Sequence, residues 1–93
     1  MKITDVKINL VSHQEPLKAF VSITFDACFV VHDLRVIKTQ GKTFIAMPSK
    51  KIKDVNRQID IYKDIAHPIN SEMRDLIEKT VLEKYKSTVE DIV

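Results

Sequence analysis

The chain has 93 residues, with 15 Lys+Arg against 13 Asp+Glu, 44% hydrophobic and 30% charged. These proportions are those of a small globular domain and exclude a disordered tail or a collagen-like fibre; one modest core fits this length and two do not. A single cysteine excludes an intrachain disulfide framework, and with three histidines it cannot make a Cys-rich zinc site, which suits a reducing, cytoplasmic setting. No apolar run reaches the ~20 residues of a transmembrane helix, and Met1–Lys7 lacks a signal-peptide pattern. Gly41 is the only glycine, which argues against Walker or Rossmann phosphate loops, where several glycines let backbone approach phosphate.

In chain order, Val6, Ile8 and Leu10 alternate with Lys7 and Asn9, the period of a half-buried strand. Glu15-Pro16 breaks the chain, and Ala19, Val21, Ile23 and Phe25 then share a face opposite Lys18, Ser22 and Thr24. From Cys28 to Ile37 both parities are apolar: Val30, Leu34 and Val36 on one, Phe29, Val31 and Ile37 on the other. Such a strand calls for cover on both sides, and so short a chain points to a second subunit as one cover. Thr39-Gln40-Gly41-Lys42 supplies a turn with Gly41 free to take positive φ, Thr43–Met47 returns as a strand, and Pro48 stops it.

Lys50–Lys63 fits two periods. Ile59 and Ile61 alternate as in a strand, while Val55, Ile59 and Tyr62 fit a helix; strand is the favoured reading. Further on, Pro68, the Asn70-Ser71 cap signal, and Glu72 with Asp75 in the first turn predict a helix. Its apolar stripe is Met73, Leu76, Ile77, Thr80, Val81 and Tyr85, and its polar face carries Arg74, Lys79, Lys84 and Lys86 among acids. Strands followed by one packed helix make an α+β domain: an antiparallel sheet with a C-terminal amphipathic helix. No linker or repeat divides residues 1–93.

Charge is unevenly placed. Arg35–Arg57 holds seven bases and one acid, a net +6, whereas the rest holds eight bases and twelve acids, a net −4. A basic middle in an acidic chain attracts polyanions locally. Lys50, Lys51 and Lys53, read as a loop after the Pro-Ser turn, can reach phosphates without desolvating a core. Aromatic residues are few and sit mostly at core parities, so no base-stacking platform is evident. His32-Asp33 and Asp64…His67 offer carboxylate–imidazole pairs, but neither has a third orienting group, and neighbours in a strand point to opposite faces. These pairs do not make an enzyme, a metal site or a cofactor site. His13 reads as surface, and Cys28 as a small core residue rather than a reactive thiol.

Four blocks in order, Lys2–Val6, Phe29–Ile37, Phe44–Lys51 and Asp64–Ser71, resemble the SpoVG family of bacterial septation proteins, and the likeness runs from Met1 to about Lys86. The resemblance implies a small dimeric α+β protein that binds DNA, with some members also binding RNA, and a link to septation, sporulation and gene regulation. It maps the family's basic pair onto Lys50 and Lys51, and the Arg at its helix start onto Arg74. Here Ile52-Lys53-Asp54-Val55-Asn56 replaces the family's Thr-Pro-Asp-Gly turn, and the segment up to Asp64 is longer. The turn around Gly41 lacks a second glycine, and the usual acidic tail is nearly absent.

The expectation is a homodimer joined through Val30, Val31, Leu34 and Val36, with nucleic acid contacted by Lys50, Lys51, Lys53, Arg57 and Arg74. Arg57 or Arg74 would read a base, since a guanidinium bonds guanine bidentately. The alternative is a non-enzymatic interaction module engaging a protein of the division pathway. Neither reading involves a membrane, a small-molecule substrate or a cofactor.

Overall fold

The computed structural model describes residues 1–91. Strands β1 (Ile3–Leu10), β2 (Leu17–Phe25), β3 (Phe29–Thr39) and β4 (Lys42–Ala46) form an antiparallel meander in that order. β5 (Ser49–Asp54) and β6 (Ile59–Asp64) form a separate antiparallel hairpin, and α1 spans Ser71–Asp91. The α+β class holds, with two sheets where the sequence suggested one.

The core lies between one face of the meander and α1. Ala19, Val21, Ile23 and Phe25 are all buried, as their alternation requires, and Val6 and Ile45 extend that face onto β1 and β4. α1 packs on β1 and β4, the two edges of the meander, and closes it with Ile77 and Val81. Met73, Leu82 and Tyr85 pack around them, whereas Leu76 is exposed, so the helix buries a narrower stripe than the sequence pattern outlines. Asn70 caps the helix: its Oδ1 accepts the Met73 N–H at 2.8 Å, while its carbonyl accepts the Arg74 N–H.

The doubly apolar strand has a local cause. Val21 pairs with Leu34 and Ile23 with Val31, so His32 and Asp33 together stand opposite Ser22. This is a β-bulge, and Asp33 at its centre has φ 67°, a left-handed conformation that aspartate tolerates better than most residues. One extra residue reverses the alternation. Val31 before the bulge and Leu34 and Val36 after it therefore face the same core, although they belong to different parities in sequence.

The bulge also corrects the reading of β3 as a strand apolar on both faces. Leu34 is 2% exposed and Val36 is 0% exposed, both covered by their own chain, and Val31 packs against the same core. Val30 alone of the four turns to the outer face, 45% exposed. Cys28 is corrected too: it lies exposed in the turn between β2 and β3, outside the core. The β3–β4 turn follows the sequence, with Gln40 and Gly41 at φ 51° and 79° as a two-residue I′ hairpin demands.

Candidate nucleic-acid interface

The lysine cluster read as a loop is strand β5, and this changes which lysines act together. Register pairs Lys50 with Lys63, Lys51 with Tyr62, Ile52 with Ile61, Lys53 with Asp60 and Asp54 with Ile59. Directly opposed residues share a face and successive residues alternate. One face of the hairpin thus carries Lys50, Lys63, Ile52, Ile61, Asp54 and Ile59. The other carries Lys51, Lys53, Tyr62 and both acids of β6, Asp60 and Asp64.

The two faces differ electrostatically. Lys51 Nζ is 3.1 Å from Asp60 Oδ2, and Lys53 lies opposite the same aspartate, so their charge is largely compensated. Lys50 and Lys63 oppose each other, an arrangement that costs stability unless an anion joins them. The acid on their face, Asp54, sits four residues along β5, roughly 13 Å from Lys50 at ~3.3 Å per residue. It is engaged at the hairpin tip, where its carboxylate accepts the Asn56 and Arg57 backbone N–H groups and lies 3.7 Å from Arg57 Nε.

Arg57 is therefore at the tip and well exposed, Lys50 and Lys63 are near the base, and Arg74 stands on α1, a separate element. Sequence reasoning singled out Lys50 but missed Lys63. The signal was present in the equal strand lengths either side of Val55–Gln58, but using it requires the strand reading and the four-residue turn together.

Arg35 also leaves the pool of free cations. Its guanidinium Nη2 donates to the Met47 carbonyl at 3.3 Å and to Ser49 Oγ at 3.2 Å, linking β3 to the start of β5. Since β5 and β6 pack mainly on each other, this link and the Ile65 N–H donated to the Pro48 carbonyl fix how the hairpin leaves the meander.

The candidate chemical pairs are not assembled into a site. His32 Nδ1 is hydrogen-bonded to Ser22 Oγ at 2.8 Å within the bulge, and His67 Nδ1 donates to the Pro68 carbonyl at 3.0 Å. Asp64 lies in the hairpin ladder opposite Ser49. A half-open cavity of about 210 Å³ between the core face and α1 is lined mainly by apolar side chains, among them Phe25, Phe29, Leu34, Met47 and Met73, with His67 on its wall. No cluster of three metal-ligating side chains occurs among the described residues, and no described helix is long and apolar enough to cross a membrane.

Fold and surface together define a small α+β domain that holds a basic β-hairpin away from its core. The SpoVG family model matches residues 1–87. A relative from Caldicellulosiruptor saccharolyticus, named septation protein SpoVG, is 49% identical over 89 residues, covering 96% of each chain. Relatives of the same name from Agathobacter rectalis (49% over 92 residues, 99% of this chain and 100% of the relative) and Clostridium perfringens (50% over 86 residues, 92% and 90%) agree. The chain belongs to the SpoVG family.

Proposed function

We propose that this SpoVG-family protein is a non-enzymatic, cytoplasmic regulator that binds nucleic acid as a homodimer, DNA in the first instance and RNA by the same phosphate chemistry, and acts in septation and sporulation. The septation role is the one its relatives' names carry. The observation supporting nucleic-acid binding is the uncompensated Lys50–Lys63 pair on an exposed hairpin, with the acids of β6 turned to the other face. Two cations held side by side on one ladder suit successive phosphates of a backbone, where each contact releases condensed counterions. Arg57, at the end of the hairpin, and Arg74, on α1, are the candidates for base contact.

The test is fluorescence anisotropy of labelled duplex DNA, and of RNA of the same sequence, against salt concentration. The slope of log affinity against log salt should be steep, and Lys50→Ala/Lys63→Ala should flatten it by roughly 1.8, the value of about two phosphate contacts at ~0.9 each. Absence of binding at low salt would refute the reading. It would favour a protein partner instead, for which the outer face of the meander offers Phe20, Val30 and Phe44, all partly exposed.

A further inference from the structure

The β5–β6 hairpin is incomplete as a sheet. A two-stranded hairpin standing alone is marginally stable in water, yet this one buries no side chain of its own, and Ile59, Ile61 and Tyr62 are all exposed. Both of its strands also present an unpaired edge, that of β6 among them.

The hydrogen-bonding direction of that edge follows from the ladder. The Ile65 N–H donates to the Pro48 carbonyl, so that pair is of the hydrogen-bonded kind. In an antiparallel ladder every second pair is of this kind. Lys63, Ile61 and Ile59 therefore bond inward to β5, while Asp60, Tyr62 and Asp64 aim N–H and C=O outward.

We propose that β6 pairs antiparallel with β6 of a second copy about a twofold axis at Ile61, joining two hairpins into one four-stranded sheet. The proposal rests on the dimeric reading above and assigns its seam. Charge selects the register. An axis at Asp60 would set Asp60 against itself, one at Tyr62 would set Asp60 against the partner's Asp64, and one at Lys63 would oppose two lysines. An axis at Ile59 would leave most of β6 unpaired.

The axis at Ile61 avoids all of these. Asp60 meets the partner's Tyr62 in hydrogen-bonded pairs, Asp64 meets the partner's Gln58, and Ile59 meets the partner's Lys63. Ile52 and Ile61 then continue into the partner's Ile61 and the partner's Ile52, a row of four isoleucines across the sheet. On the opposite face Asp60 lies between Lys53 and the partner's Tyr62. A closed twofold pairing of this kind also consumes the β6 edges, leaving those of β5 as the margins of the four-stranded sheet.

The test is carried out in a Cys28→Ser background, because Cys28 is an exposed thiol. Ile61 faces its twin in a non-hydrogen-bonded pair, with Cα atoms about 4.5 Å apart, within disulfide range. Ile61→Cys should form a disulfide-linked dimer under mild oxidation on the order of tenfold faster than Tyr62→Cys, whose twin is a diagonal ~7–8 Å away. Tyr62→Pro removes an outward N–H without touching the β5 ladder. It should convert the dimer to monomer in sedimentation while leaving far-UV circular dichroism unchanged.

A dimer that Ile61→Cys fails to lock and Tyr62→Pro fails to split overturns the β6 seam but leaves dimerisation standing. A wild-type monomer at micromolar concentration overturns both. Anisotropy on the same samples judges nucleic-acid binding separately.

Discussion

The meander with α1 and the β5–β6 hairpin are built by opposite uses of alternation. In β2, every second side chain from Ala19 to Phe25 is buried in the protomer core. In β6 the alternation is just as regular, Ile59, Ile61 and Lys63 against Asp60, Tyr62 and Asp64, and every residue is exposed. A period of two thus reports the geometry of a strand and says nothing of what covers it. One region spends its side chains on stability, while the other keeps its side chains and both strand edges available.

The sharpest way to break this comparison is to truncate one isoleucine in each region. Ile23→Ala opens a cavity in a site that is 1% exposed and should cost about 2–5 kcal/mol of unfolding free energy by urea titration. Ile59→Ala, at 47% exposure, should cost below ~1 kcal/mol. Equal losses would mean that the hairpin is buried in the folded species in solution.

Lysine by lysine, the hairpin faces should separate as well. Lys50→Ala and Lys63→Ala should each weaken DNA binding roughly fivefold to tenfold at low salt and lower the salt slope by ~0.9. Lys51→Ala removes a charge already held by Asp60 and should shift affinity by less than about twofold, since an exposed ion pair is worth ~1 kcal/mol or less. Matching effects at Lys50 and Lys51 would show that net charge, not the face, governs binding.

Most of the fold was legible because its signals are local. The β2 alternation, the Gly41 turn, Pro48 and the Asn70 cap each act within a few residues, and each is where the pattern puts it. β3 reads as apolar on both faces because a bulge is one residue long: His32-Asp33 reverses its parity, so a one-faced strand looks two-faced. The basic site was half legible. Lys50 stands out in a lysine run, but its opposite number Lys63 is thirteen positions away and becomes its neighbour only through the hairpin register.

Capping gives a smaller effect, confined to the core region. Asn70→Ala removes the acceptor for the Met73 N–H and should cost ~1 kcal/mol of global stability. The share of the DNA salt slope that Lys50 and Lys63 set on the hairpin should be unaltered.

The smallest expected change tests the bulge. Asp33 holds φ 67°, where a Cβ is disfavoured and aspartate is helped by its short polar side chain. Asp33→Ala keeps the Cβ and loses the polar group, so it should destabilise by about 1 kcal/mol. Asp33→Gly relieves the conformation but adds freedom to the unfolded chain, two terms of similar size, and should fall within ~0.5 kcal/mol of wild type. The order wild type ≈ Gly > Ala in urea midpoints would show that the backbone conformation at residue 33 is what keeps Val31 and Leu34 on one face. If Ala matched Gly, that conformation would carry no energetic cost, and the reversal of parity would have to be imposed from outside β3, by the packing of Ile23 and Val21 against it.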